Sequence, residues 1–118
     1  GQNAGNEYLP SRIVLDNKED KVQKRFASSI VRDSASGDVI VKLVNLLPVE
    51  INTSVDLTGT GIVQSSAKRT VLTGKPADTP LPVEDTMEVA EKFDCQLSAY
   101  SFTVIRIKKA NEKSSQHK

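Results

Sequence analysis

Apolar and polar residues alternate over short stretches of this chain. The alternation is clearest from Val49 to Leu57, where every second residue is apolar or β-branched and the residues between are polar. A period of two places successive side chains on opposite faces of a strand, so this stretch predicts a strand with one face on a core and one face in water. No stretch shows a convincing helical period.

Seven stretches have this character, and residues typical of turns separate them. Ser34–Gly37 predicts a hairpin loop in which Gly37 takes a positive φ, and Pro48 prevents one continuous strand across it. Short strands joined by turns predict an all-β, antiparallel sandwich or barrel. The predicted strands are Ile13–Leu15, Phe26–Asp33, Asp38–Leu46, Val49–Leu57, Ser66–Thr73, Thr86–Leu97 and Ser101–Lys108.

Two of these strands are apolar on both faces. In the closing strand Phe102 and Val104 point one way and Ile105 and Ile107 the other, and the strand that begins near Val39 shows the same surplus. One core covers one face of a sheet, so a second apolar face predicts contact with a neighbouring domain or subunit. The candidate interface residues are Val39, Val41, Leu43, Val104, Ile105 and Ile107.

Length and charge restrict the class of protein. A chain of 118 residues fits one domain, predicted as residues 1–109 with a polar, disordered tail at 110–118. Sixteen basic and fifteen acidic residues give a net charge of +1, and the two signs are interspersed, so neither nucleic acid nor a membrane is an expected partner.

The ends of the chain and its cysteine leave the compartment open. The first residue is Gly1 rather than Met, which predicts that the chain was cut from something longer. A single cysteine excludes an internal disulfide, so periplasmic, extracellular and cytoplasmic locations all remain open.

The acidic residues do not indicate a catalytic site. Each acidic group lies in a predicted loop or on an alternating strand, where charge is usually solvated, and we expect no catalytic residue, cofactor or metal ligand. A calcium ion held by Asp33 and Asp38 is the alternative considered for a metal. The acidic groups tested were Glu84 with Asp85, Glu88 with Glu91, and Asp16 with Glu19 and Asp20.

Nucleophilic chemistry lacks a partner. His117 is the only histidine and lies in the predicted tail. Cys95 shares its strand face with Phe93 and Leu97, which predicts a small buried apolar side chain rather than a reactive thiol.

Few aromatic side chains remain for binding sugars. The chain has no Trp, and Phe26, Phe93 and Phe102 are predicted to be core residues. Tyr8 and Tyr100 are therefore the candidate glycan contacts, because exposed rings stack on sugar faces.

Three blocks of the sequence resemble the C-terminal domain of glycoside hydrolase family 51 α-L-arabinofuranosidases. The last block reads Leu-Ser-Ala-Tyr-Ser-Phe-Thr-Val where the family usually has Leu-Pro-X-Tyr/His-Ser-Phe-Thr-Val, so Ser98 replaces Pro. The loop after Gly74 is shorter than usual. The resemblance covers nearly all of residues 5–109. Its blocks are 5–11 with 20–45, 55–59 with 71–74, and 97–108.

The resemblance implies a β-sandwich of jelly-roll type, with about 7–8 strands, that packs against a (β/α)₈ catalytic barrel of the same polypeptide. In that family the parent enzyme removes terminal α-L-arabinofuranosyl groups from arabinan and arabinoxylan, in L-arabinose metabolism, using two barrel glutamates outside the matched region. The chain is then a non-catalytic accessory domain, whose partners are its own barrel and, through the parent, arabinose-containing polysaccharide. A carbohydrate-binding module is the alternative, and a homo-oligomer is left open.

Overall fold

The structure is a computed structural model that describes residues 6–8, 13–16, 19–59, 66–74 and 81–108, with side chains described from residue 13 onward. These ranges contain nine strands and one single-turn helix. They are β1 Asn6–Tyr8, β2 Ile13–Leu15, α1 Asp20–Gln23, β3 Phe26–Asp33, β4 Val39–Asn45, β5 Ile51–Asp56, β6 Ser66–Thr73, β7 Val83–Glu88, β8 Lys92–Leu97 and β9 Ser101–Ile107. The predicted tail at 110–118 lies outside the described residues.

The strands form two antiparallel sheets of unequal width. The large sheet has the order β1-β3-β4-β9-β6-β7, and the small sheet has the order β2-β5-β8. Every pairing is antiparallel. The prediction of an all-β antiparallel sandwich is confirmed. Among the residues that the structure describes, no helix is long and apolar enough to cross a bilayer.

The core lies between the sheets and is built from alternate residues. Along β4 the odd-numbered residues are buried and the even-numbered ones reach the other face, and β9 follows the same rule. The small sheet contributes Val55 and Leu97, and Leu57 directly follows β5; each is at most 1% exposed. Phe26 and Phe93 pack against this core as predicted. Burial of these apolar side chains is the main favourable term in folding.

The prediction of one strand over Thr86–Leu97 is wrong. Residues 83–88 form β7 on the edge of the large sheet, whereas residues 92–97 form β8 in the small sheet. Between them Val89 is buried, but Glu91 is exposed at the next position where an apolar residue would continue the alternation. The alternation is therefore interrupted where the chain changes sheets, and the prediction of a single strand overlooked this break.

The prediction of no helix misses α1, and the prediction of strands misses β1. Helix α1 is one turn, which is shorter than a helical period needs to become visible. Its Val22 is buried in the core, and this packing stabilises the single helical turn. Strand β1 is only three residues long and pairs with the far end of β3.

Two turns join the strands at opposite ends of the large sheet. The β3–β4 hairpin contains Gly37 with φ of 81°, as predicted, because only glycine takes this conformation without strain. The β8–β9 turn contains Tyr100 with φ of 49°, and its N–H donates to the Leu47 carbonyl. Gly74 donates its N–H to the Tyr100 carbonyl, so three loops meet at this end.

Candidate interaction surface

Five of the six residues predicted to form a domain interface are core residues, and that part of the prediction is wrong. Strands β4 and β9 are apolar on both faces, so a period of two does not say which set of side chains points inward. The structure turns the odd-numbered set into the core. The five are Val39, Val41, Leu43, Ile105 and Ile107, each at most 1% exposed.

A second apolar surface lies on the outer face of the large sheet. Val44 on β4, Phe102 on β9 and Leu72 on β6 are direct neighbours across three adjacent strands. Side chains opposite each other in this way are about 5 Å apart and touch. Phe102 is 37% exposed, so its predicted place in the core is wrong. Val104, the remaining predicted interface residue, lies half-buried on this same outer face.

We call the residues Ile40, Val44, Leu72, Phe102 and Val104 the outer patch. Four of them are half-buried and Phe102 is 37% exposed, although all lie in the middle of a six-stranded sheet rather than at its edge. Leu46, two residues after Val44 on the loop, is 55% exposed and extends the apolar surface beyond the end of β4. A second apolar face is therefore present, but of the six residues predicted for it only Val104 lies there.

Charged side chains lie among and around the outer patch. Lys42 is exposed and lies opposite Val104. Lys68 Nζ is 3.5 Å from Glu84 Oε1. Lys42 is the only charged residue of β4, and Arg106 is the only charged residue of β9. Both lie on the same face as the outer patch, and the sequence analysis did not use them to identify the outward face. A charged residue in an apolar strand marks the face that is not the core.

Arg106 joins the β3–β4 hairpin to β9 at one border of this face. Its Nε donates to Asp38 Oδ2 at 2.8 Å, and a terminal nitrogen donates to Asp33 Oδ2 at 3.0 Å. The side chain of Asp38 is 4% exposed. The two carboxylates considered as calcium ligands do converge, but an arginine lies between them. Among the described residues no three acidic, histidine or cysteine side chains form a metal-binding group.

The surroundings of Asp33 hold the pKa of its carboxyl below the ordinary value of 3.8. The largest cause is the hydrogen bond donated by the Ala35 backbone N–H, followed by the hydrogen bond from Arg106. Both favour the ionised carboxylate. The hairpin is therefore held most firmly when Asp33 is charged.

We predict that Asp33→Asn reduces the loss of stability in acid. Because the pKa of Asp33 is lowered by folding, its contribution is complete above the unfolded value of 3.8 and is lost as pH falls through the lower folded value. Urea unfolding of the chain between about pH 5 and pH 2 measures the effect, with Asp16→Asn as an exposed control. A variant whose stability falls with acid as steeply as that of the unsubstituted chain would contradict this assignment.

A groove lies on the inner face of β6 and β7, where the large sheet extends beyond the small one. Its volume is about 400 Å³, and its lining includes Arg69, Asp85 and Gln96. Arg69 and Asp85 form a two-point ion pair, with Arg69 Nε 2.9 Å from Asp85 Oδ1. The hydrogen bond from Arg69 is the main cause that lowers the pKa of Asp85.

Cys95 is buried beside this groove. It is 3% exposed, as the sequence predicts. Burial raises the pKa of its thiol, which the nearby Arg69 only partly offsets. A buried thiol with a raised pKa is a poor nucleophile.

The adjacent acidic residues Glu84 and Asp85 do not converge on one site. Glu84 and Asp85 are adjacent in β7 and therefore point to opposite faces, one toward Lys68 and the other toward Arg69. Retaining glycoside hydrolysis needs two carboxyls about 5–5.5 Å apart on either side of one bond. The other tested acidic residues, Asp16, Glu19, Asp20, Glu88 and Glu91, are all exposed. His117 lies outside the described residues.

The two tyrosines proposed for glycan contact are not brought together by any described contact. The side chain of Tyr8 lies outside the described side chains. Tyr100 is half-buried in the β8–β9 turn, and its backbone is fixed by Leu47 and Gly74. Glycan contact by either residue stays a prediction.

Comparison with known proteins places this fold among glycosidases. No family model matches the chain. The extracellular exo-α-L-arabinofuranosidase of Streptomyces chartreusis is 31% identical over 109 residues, which covers 81% of this chain and 13% of that protein. The arabinose-bound α-L-arabinofuranosidase MgGH51 is 26% identical, with a TM-score of 0.68 over 87% of this chain and 17% of its own. The chain resembles the C-terminal domain of family 51 α-L-arabinofuranosidases.

The predicted resemblance to that arabinofuranosidase domain is thus confirmed. The thermostable family 51 α-L-arabinofuranosidase of Thermotoga petrophila RKU-1 shares the fold, with a TM-score of 0.61 at 15% identity over 71% of this chain and 19% of its own. In each comparison the arabinofuranosidase-like domain spans less than a fifth of the relative's length. The chain therefore matches only a small part of each of these longer hydrolases.

Proposed function

We propose that the chain is the non-catalytic C-terminal accessory domain of an α-L-arabinofuranosidase and that it packs on the catalytic (β/α)₈ barrel of the same polypeptide. The parent enzyme hydrolyses terminal α-L-arabinofuranosyl groups of arabinan or arabinoxylan. One observation carries the proposal: the chain matches an arabinofuranosidase over 87% of its own length but only 17% of the other. The reacting groups of such an enzyme then belong to the part that this chain does not match.

The chemistry of the described residues supports a structural role. Retaining hydrolysis needs a carboxyl that stays protonated and a second one that attacks the sugar. Instead, the pKa values of both Asp33 and Asp85 are lowered, because each accepts hydrogen bonds that favour the charged form. These two carboxylates are arranged to remain ionised partners of arginine rather than to donate a proton.

We predict that this polypeptide alone does not release product from an aryl α-L-arabinofuranoside. The measurement is the rate of aglycone release at enzyme concentrations high enough to detect a small fraction of the parent's turnover. The longer polypeptide with its barrel is the positive control. Release by the chain that is abolished by Asp85→Asn or Glu84→Gln would overturn the proposal.

A further inference from the structure

The outer patch has the composition of a contact surface rather than of a solvated sheet face. The row Val44, Phe102 and Leu72 crosses three neighbouring strands without a polar interruption. The next row places Val104 between Lys42 and Thr70. Lys42 lies within the patch, between Ile40 and Val44 on the same face of β4, so the continuous apolar part is the row through Phe102. Protein interfaces combine such apolar rows with neighbouring polar and charged side chains.

The opposite side of the sandwich differs. On the outer face of the small sheet Val14 is 50% exposed, but its cross-strand neighbour Ser54 and the adjacent Asp94 are polar and hydrogen-bonded to each other. This is the ordinary alternation of a sheet with one wet face. The two outer faces of one sandwich therefore have different chemistry, and only the outer face of the large sheet carries a row of apolar neighbours among the described residues.

We infer that the outer patch is the surface that contacts the catalytic domain of the same polypeptide; this rests on the proposed function and names the face of the sandwich that carries it out. The chain matches 17% of the arabinose-bound arabinofuranosidase, so 83% of that protein lies outside the match. The corresponding part of this protein's parent is the partner with the largest surface available to contact the outer patch. The core faces of both sheets are already buried against each other, so the outer patch is the row of apolar neighbours across adjacent described strands that is left for it.

The charges on this face specify what the partner surface presents. Arg106 is neutralised by Asp33 and Asp38, and Lys68 by Glu84. Lys42 has no ion-pair partner among the residues that the structure describes. A lysine that loses water in an interface needs an acceptor. The catalytic domain therefore presents apolar side chains to Val44, Phe102 and Leu72 and a carboxylate to Lys42.

Phe102→Ser tests the docking surface in the full-length polypeptide and in this chain. In the full-length protein we expect the thermal midpoint of this domain to fall by roughly 3–6 °C, because the ring leaves a packed interface. In the 118-residue chain the same substitution lowers the midpoint by less than it does in the full-length protein, because 37% of Phe102 is already exposed to water there. Val14→Ser, at an apolar residue that is 50% exposed on the other face, is the control, and we expect it to shift the midpoint equally in both polypeptides.

Lys42→Glu tests the charge that the partner offers. In the full-length polypeptide it should lower the midpoint at low salt, and added salt should restore part of the loss. Equal shifts of Phe102→Ser in both polypeptides, or no shift in either, would overturn the inference. Concentration-dependent dimers of the 118-residue chain that Phe102→Ser abolishes would also overturn it, in favour of a second copy.

Failure of this inference and failure of the proposed function give different results. Arabinofuranoside hydrolysis by the chain alone contradicts the accessory role, whatever Phe102→Ser does. Absence of hydrolysis together with an unshifted full-length Phe102→Ser variant leaves the accessory role standing and removes only the outer patch as its docking surface.

Discussion

Ile105→Ala will lower the free energy of unfolding of the chain by about 3 kcal/mol, within the 2–5 kcal/mol range for truncating a fully buried isoleucine. Ile105 is 0% exposed and lies between Ile107 and Thr103 on the core face of β9. The substitution removes apolar surface from the core and leaves a cavity that a two-sheet sandwich cannot readily close. Urea unfolding followed by circular dichroism measures the loss.

Val104→Ala is the matched control for this substitution. Val104 is the adjacent residue of the same strand, it is half-buried, and its side chain points to the outer face. Its truncation should cost less than about 1 kcal/mol in the chain alone. Equal losses for the two variants would mean that the inward and outward faces of β9 have been assigned wrongly.

Asn45→Ala will lower the free energy of unfolding by about 2–4 kcal/mol, because it leaves buried hydrogen-bonding groups without a partner. Asn45 is 0% exposed. Its Nδ2 donates to the carbonyls of Val49 and Ser98, at 3.0 and 2.8 Å, and its Oδ1 accepts the N–H of Leu47 at 2.9 Å. One side chain thus ties the β4–β5 loop to the β8–β9 turn.

Asn52→Ala provides the comparison for Asn45→Ala, and the measurement is again the midpoint and slope of urea unfolding. Asn52 is an exposed amide on the outer face of β5, and its removal should change stability by less than about 0.5 kcal/mol. A loss at Asn45 no larger than the loss at Asn52 would show that the loops at this end do not depend on the buried amide.

Local pattern was enough to predict most strands. Strands β3 and β6 have the predicted bounds, Phe26–Asp33 and Ser66–Thr73, because polar turns follow them directly. The break within Thr86–Leu97 has a local signal, because the exposed Glu91 interrupts the apolar alternation, but the pattern does not show that the two halves join different sheets. Period shows where side chains alternate, but it does not show which sheet a strand joins.

The face of the apolar strands was predictable, but from charge rather than from period. Lys42 and Arg106 each interrupt an apolar run and share a face with the outer patch. Had those two residues been taken to mark the solvent side, Val39 and Ile105 would have been placed in the core. A charged side chain is more informative here than the apolar ones, because a core tolerates very few unpaired charges.

The ion pairs of Arg106 had no local signal. Its partners Asp38 and Asp33 are 68 and 73 residues away in sequence. Such contacts depend on β9 lying beside β4, which only the sheet order shows. The hydrogen bond from the Leu47 N–H to Asn45 Oδ1, by contrast, is local. An asparagine before a loop commonly accepts such a bond from the residue two positions later, so this contact could be predicted from the sequence.

Hydroxyl-radical footprinting of Phe102 tests most directly whether the outer face of the large sheet is covered in the parent enzyme. The labelling rate of Phe102 is compared between this chain and the full-length polypeptide, with the half-buried Phe93 of the small sheet as the internal reference. We expect labelling of Phe102 to fall several-fold in the longer polypeptide while that of Phe93 is unchanged. An equal rate of Phe102 labelling in both polypeptides would contradict the account.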